Sequence, residues 1–64
     1  MDSTRVWLTT GDLAERLRTA PGTVRYWRHA GIGPQGVKIG RRVLYALDEV
    51  ERWEAAKVAE AAAA

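Results

Sequence analysis

A short segment bounded by a proline and a glycine constrains the fold more than any other part of this chain. Pro21 suits the first position of a helix, where its missing N–H has no helical partner to lose. Gly31 suits the position just past a helix end, where a left-handed backbone is needed. Between them, Val24 and Trp27 stand three residues apart and share one face. The segment therefore predicts a short helix whose apolar face packs on a core.

The other face of this helix carries cationic and aromatic side chains. Arg25, Arg28 and His29 point away from the apolar face, and Thr23 and Tyr26 flank them. A helix with an apolar back and such a front can enter the major groove of DNA and contact base edges or phosphates. A solvated surface helix with ordinary arginines is the alternative. We predict that these five residues form the DNA-contacting face of a recognition helix.

The residues before this segment predict a first helix. Thr9 and Asp12 match a capping box, with Thr9 as the N-cap. Leu8, just before the cap, can pack on Leu13 as a hydrophobic staple. The apolar face of this helix consists of Leu13, Ala14 and Leu17.

The connection between the two helices has the length typical of a helix-turn-helix. Thr19 is expected to cap the second helix, since Ala20 offers no side-chain acceptor. Arg16 and Arg18 lie near the negative end of the first helix, where helix stability alone accounts for them. We also expect both arginines to contact DNA phosphates.

A glycine-rich loop is followed by two short β-prone triplets. Residues 37–39 alternate in-out-in around Lys38, and residues 43–45 follow a turn at Gly40. This pattern predicts a β-hairpin with Arg41 and Arg42 at its tip and Lys38 alongside. Such a tip can lie on a phosphate backbone or place an arginine in a minor groove. An edge hairpin protected by charge against aggregation is the alternative.

The last helix is predicted to begin near Asp48, with a possible capping box formed by Asp48 and Glu51. Its apolar stripe, which we assign to the core, consists of Leu47, Val50 and Trp53. The alanine-rich residues 55–64 are good helix formers. We expect residues 1–5 and about 59–64 to fray within a single domain that spans residues 1–64.

Basic residues are concentrated in the middle of the chain. The formal net charge is only +2, but residues 16–42 hold seven of the ten Lys and Arg residues and none of the eight Asp and Glu residues. A segregated basic surface is the electrostatic signature of a polyanionic partner. Chance clustering in so short a chain is the alternative. The partner we expect is double-stranded DNA.

Composition excludes several classes of protein. A chain of 64 residues without cysteine forms one small core and has neither disulfides nor thiolate metal sites. Ser3 is the only serine and His29 the only histidine, so neither a catalytic triad nor a histidine metal cluster is available. We expect no enzymatic activity, cofactor, metal or small-molecule substrate. No signal peptide or membrane span is recognisable, so we expect a cytoplasmic location and no membrane partner.

Four stretches are distinctive in combination. They are Leu-Thr-Thr-Gly-Asp-Leu-Ala-Glu-Arg-Leu (8–17), Thr-Val-Arg-Tyr-Trp (23–27), Ile-Gly-Arg-Arg-Val-Leu-Tyr (39–45) and Val-Glu-Arg-Trp (50–53). Together they resemble the small MerR-like winged-helix proteins, a group that includes phage and integrated-element excisionases. The resemblance covers about Leu8 to Trp53. It implies a mainly α fold with a small β-hairpin, in which a helix-turn-helix is followed by a wing and a C-terminal helix.

The resemblance also implies a function. Excisionases are non-catalytic recombination directionality factors that bind repeated sites beside a phage attachment site, bend the DNA and direct the integrase toward excision. The implied partners are DNA, further copies bound cooperatively head to tail, and a phage integrase in a bacterial cell. A small MerR-like transcriptional regulator from a phage or mobile element is the alternative. A pure protein-interaction module would leave the basic middle of the chain unexplained.

Two departures from the family pattern affect the expected contacts. The family usually has glycine after the first helix and serine as the cap of the second, where this chain has Arg18 and Ala20. Pro21 and Gly22 replace polar residues that often open the recognition helix. The base contacts are therefore expected from the residues that follow, namely Thr23, Arg25, Arg28 and His29.

Overall fold

The computed structural model describes residues 5–63. Its elements, in chain order, are β1 (Trp7–Thr9), α1 (Thr10–Arg16), α2 (Pro21–Ala30), β2 (Gly36–Ile39), β3 (Arg42–Ala46) and α3 (Leu47–Ala63). This order confirms the predicted fold class, a mainly helical winged helix-turn-helix. The fraying expected at both ends falls partly on residues 1–4 and 64, which lie outside the described residues. Helix α3 itself continues through Ala63.

The three strands form one antiparallel sheet with the order β1-β3-β2. The predicted hairpin is β2 and β3, and β1 adds a third strand on the other side of β3. Leu8 of β1 and Gly36 of β2 both pair with Tyr45. A Cβ at Gly36 would lie 2.8 Å from the Tyr45 ring, so only glycine allows the wing to approach that side chain. The sheet thereby ties the N-terminal segment and the wing to one central strand.

Helix α1 begins as its capping box predicts. The Asp12 N–H donates to Thr9 Oγ1 and the Thr9 N–H donates to Asp12 Oδ2, each at 3.0 Å. After the helix, Arg18 adopts a left-handed conformation with φ of 57°. Its N–H donates to the Glu15 carbonyl oxygen at 3.1 Å, and the Thr19 N–H donates to that of Ala14 at 2.9 Å. These two bonds form a Schellman motif with an arginine at the position that usually holds glycine.

Helix α2 has the predicted bounds but not the predicted cap. The N-cap is Ala20, in an extended conformation and without a side-chain hydrogen bond, so the assignment of Thr19 is wrong. The reason lies in Pro21, which takes the first helical position and biases the residue before it toward extended backbone. At the other end Gly31 is left-handed with φ of 75°, as predicted.

The core lies where α1, α2 and the start of α3 meet the inner face of the sheet. Its buried members are Leu13, Ala14, Val24, Tyr45 and Val50, and half-buried apolar side chains surround them (Leu8, Leu17, Trp27 and Val43). Trp53 joins this core from its edge. The Trp53 ring lies 5.6 Å from that of Trp27, and its Nε1 donates to the Ile32 carbonyl oxygen at 3.2 Å. The apolar stripe predicted for α3 therefore does pack against the rest of the domain.

Two expectations about local structure are wrong. Asp48 lies inside the first turn of α3 rather than at its cap, and its Oδ1 accepts from the Glu49 N–H at 3.0 Å. The in-out-in pattern of β2 also fails, because Val37 and Ile39 are 45% and 51% exposed. Strand β2 is an edge strand, and Val37 and Ile39 lie on the face of the sheet opposite to Tyr45. Alternation along a strand predicts two faces but does not say whether anything covers them.

Candidate nucleic-acid interface

Helix α2 has an inner face that packs on the core and an outer face that is exposed. Val24 is buried and Trp27 half-buried, whereas Arg25, Arg28 and His29 are exposed. The spacing of these exposed residues, at i, i+3 and i+4, places them on one side of the helix. The helix-turn-helix thus fixes α2 by its apolar side and leaves three nitrogen-bearing side chains free to contact a ligand.

The wing presents its cations through a two-residue turn. Ile39 and Arg42 pair across the hairpin, and Gly40 and Arg41 connect them. Gly40 has a φ of 64°, as a glycine at the first central position of a type II′ turn does. The turn leaves Arg41 exposed at the tip, as the sequence predicts.

The recognition helix and the wing enclose one cleft. It has a volume of about 350 Å³ and is lined by Thr10, Arg25, Arg28, His29, Arg41, Val43 and Tyr45. Four residues predicted for DNA contact, three from α2 and one from the wing, therefore meet on a single concave surface. Tyr45 and Thr10, at the base of this cleft, were not among the predicted site residues. Tyr45 lies on the inward face of β3, where it pairs with Leu8 and Gly36. Its place in the predicted second strand of the hairpin was the only sequence signal for it.

Other predicted contact residues lie outside this cleft. Thr23 is half-buried on α2, and Tyr26 is 62% exposed on the same helix. Lys38 and Arg42 are exposed on the wing, and Arg18 is exposed in the turn between α1 and α2. None of these five residues lines the cleft.

Arg16 is engaged by a carboxylate within the protein. Its Nε and a terminal guanidinium nitrogen donate to the two carboxylate oxygens of Glu54 at 2.7 and 2.9 Å. These hydrogen bonds lower the pKa of Glu54 and raise the pKa of Arg16 relative to their ordinary values. A phosphate contact by Arg16 would require this pair to open.

Ion pairing divides the cations into two groups. Within residues 5–63, the ion pairs join Arg5 to Asp48, Arg16 to Glu54, Arg52 to Glu49 and Lys57 to Glu60. In this part of the chain, six cations have no carboxylate partner (Arg18, Arg25, Arg28, Lys38, Arg41 and Arg42). All six come from the basic middle of the sequence. The charge segregation seen in the sequence is therefore retained on the surface, where it favours binding of a polyanion.

The tyrosine at the base of the cleft is held neutral. Burial raises the pKa of Tyr45 above its ordinary value, and the positive charge of Arg28 opposes this effect more weakly. The Tyr45 phenol therefore loses its proton at a higher pH than a tyrosine exposed to water. No three His, Cys, Asp or Glu side chains converge on a metal-binding geometry within the described residues. None of the helices described is long and apolar enough to cross a membrane.

A short helix-turn-helix, a basic wing and a cationic cleft between them define the class of small winged-helix DNA-binding domains. The family model described as "Helix-turn-helix domain" matches residues 7–58, and the chain belongs to this family. The family includes excisionase-like small DNA-binding proteins, and membership in it supports DNA binding. Comparisons with curated proteins and with solved structures gave no match.

Proposed function

We propose that this protein is an excisionase-like architectural DNA binder. The observation that carries the proposal is the cleft in which Arg25, Arg28 and His29 of α2 meet Arg41 of the wing. Cationic side chains from two elements on one concave surface fit a sugar–phosphate strand better than they fit a protein or a small molecule. The role requires no catalytic residue.

The geometry favours a particular placement on DNA. The major groove of B-DNA admits an α-helix, so the exposed face of α2 lies in it and presents Arg25 and His29 to base edges. The cleft then receives the phosphate strand that borders this groove, with Arg28 and Arg41 on either side of it. The wing, beyond that strand, lies over the neighbouring minor groove, with Lys38 on the side of the cleft and Arg42 on the opposite face of the hairpin.

The proposed role goes beyond binding at one site. Several copies placed head to tail on one side of the duplex would neutralise its phosphates asymmetrically and bend it. A bent attachment-site region is the form in which a phage integrase would be directed toward excision. The charge segregation and the resemblance of residues 8–53 to excisionases support this part of the proposal. The cooperating copies and the integrase are partners proposed on the same basis.

A genome-wide footprint tests the proposal. Fragments of the source genome that bind the protein at moderate salt are selected, and protected positions are mapped at increasing protein concentration. We expect direct repeats that fill cooperatively next to a recombination site. A single inverted repeat across a promoter would instead identify a dimeric transcriptional regulator, because a palindromic site mirrors two-fold protein symmetry. Absence of any protected fragment would contradict DNA binding itself.

A further inference from the structure

The wing has an apolar side chain at a position where charge would be expected. Ile39 ends β2, directly before the turn, and is 51% exposed. Exposed edge strands usually carry charged or polar side chains, which prevent pairing with other sheets. Here Arg41 and Arg42 follow within three residues, so the hairpin tip combines one aliphatic side chain with two cations.

The register of the hairpin shows which way Ile39 faces. Side chains of paired residues lie on the same face of a sheet, and faces alternate along each strand. Val43 and Tyr45 line the cleft, which assigns their partners Lys38 and Gly36 to the cleft side. Ile39 pairs with Arg42, on the opposite face. The two sides of the wing tip therefore differ, with Arg41 lining the cleft and Ile39 and Arg42 on the far face.

Val37 lies on the same face as Ile39 but has a different neighbour. Its cross-strand partner is the half-buried Leu44, which gives it apolar contact within the sheet. The partner of Ile39 is an exposed arginine. Ile39 is thus the aliphatic side chain at the tip without an apolar cross-strand partner, and Val37 is a natural control for it.

We propose that Ile39 is a wedge that enters a base step in the minor groove and kinks the DNA, while Arg41 and Arg42 hold the flanking phosphates. This inference rests on the proposed function, because it requires the cleft to hold the strand that separates the two grooves. With the phosphate strand on the Arg41 side of the hairpin, the Ile39 side faces the minor groove.

The chemistry of the wedge suits this position. Aliphatic side chains inserted between base pairs in the minor groove partly unstack them and kink the duplex by roughly 20–90° toward the major groove. Unstacking costs free energy, and the bend regains it by bringing more protein surface and more cations onto the phosphates. The wedge provides a bend from a single copy, in addition to any bend produced by several copies together.

The first test uses the wild-type protein alone. The probe is a duplex of about three helical turns that carries one binding site, obtained by selection from random-sequence DNA. Adenines on the wing side of the site are replaced one at a time by 2-aminopurine, whose fluorescence rises when a base is unstacked. We expect a rise at one step only. A bound complex with no rise at any step would overturn the proposal while leaving DNA binding intact.

The second test compares variants on the same duplex with a fluorophore at each end, so that energy transfer reports the bend. We expect Ile39→Ala to lose most of the bend and the 2-aminopurine signal, and Val37→Ala to retain both. Ile39→Leu should restore both, since leucine is also an aliphatic wedge. Binding, followed separately by anisotropy, should change by less than about tenfold, because the cost of unstacking offsets the lost contacts.

Two results would overturn the wedge without affecting the proposed function. An unchanged bend for Ile39→Ala would show that the kink, if present, has another source. Loss of cooperativity on a two-site duplex, with an unchanged bend on the single site, would show that Ile39 contacts a neighbouring copy. Failure of the wild-type protein to bind any duplex would instead refute the proposed function itself.

Discussion

Arg18 occupies a backbone conformation that is costly for a residue with a Cβ. Its φ of 57° places it in the left-handed region, where steric contact with the following carbonyl costs about 1–2 kcal/mol. The Schellman bonds at the end of α1 require this conformation. Glycine adopts this conformation without the steric cost, because it has no Cβ. Arg18 places a cationic side chain at a position that glycine would fill with less strain.

Replacing Arg18 by glycine should therefore stabilise the fold. We expect the free energy of unfolding to rise by up to about 1 kcal/mol, because the relief of strain exceeds the cost of the extra backbone entropy of glycine in the unfolded chain. Urea unfolding measures the change. Arg18→Ala is the control, because it removes the charge and keeps the strain. Equal stability of the two variants would contradict the assigned conformation.

Tyr45 makes stability depend on pH in the alkaline range. Because burial raises the pKa of Tyr45 in the folded chain, the unfolded chain releases its proton first as the pH rises. Its contribution to stability is fully present below about pH 10 and is lost as the pH rises through the folded-state pKa. Tyr45→Phe should reduce this loss in urea unfolding measured across that range. Tyr26→Phe, at an exposed position, should leave the loss unchanged. A similar effect of both substitutions would show that burial of Tyr45 is not its cause.

At the scale of elements, Trp53 adds to the buried Val50 in attaching α3 to the helix-turn-helix. The Trp53 ring packs at a tilt against that of Trp27, and its Nε1 donates a hydrogen bond to the loop after α2. Trp53→Ala should lower the free energy of unfolding by about 3 kcal/mol. This is the lower end of the range for tryptophan, because the side chain is half-buried. In so small a domain this loss should abolish most of the cooperative thermal transition. Val58→Ala, at an exposed position of the same helix, should melt like the wild type.

The pair between Arg16 and Glu54 links α1 to α3 and restrains a cation that was predicted to bind phosphate. Glu54→Gln should free Arg16 for DNA. We expect the slope of log affinity against log salt concentration to become steeper by about one. Glu60→Gln, which breaks a pair elsewhere on α3, provides a matched control. If Glu54→Gln leaves the salt dependence unchanged, Arg16 does not contact phosphate.

At the scale of the whole molecule, charge is sorted between surfaces. The cations of the recognition helix and wing have no carboxylate partner within the described residues, whereas those of α3 are paired. Arg41→Ala should therefore make the salt dependence of DNA binding shallower by about one. Arg52→Ala removes the same charge from the paired surface and should have no comparable effect. Equal effects would indicate that only net charge attracts the DNA.

Much of the fold could be predicted because it depends on contacts close in sequence. The capping box of Thr9 and Asp12 is made by residues three apart. Pro21 and Gly31 bound α2 because each has a backbone preference of its own. The same preference of Pro21 makes Ala20 the cap, and it outweighs the side-chain acceptor that Thr19 offers. The face of α2 that carries Arg25 follows from helical periodicity alone.

The sequence by itself thus determined the helices, the hairpin and the presence of a basic surface, since local hydrogen bonds, backbone preferences and charge order encode them. Only the tertiary structure decided which of those cations meet. It placed Arg41 opposite α2 in one cleft, paired Arg16 with a glutamate 38 residues away, and left Ile39 exposed at the wing tip. These outcomes depend on the packing of segments distant in sequence, which no local pattern specifies.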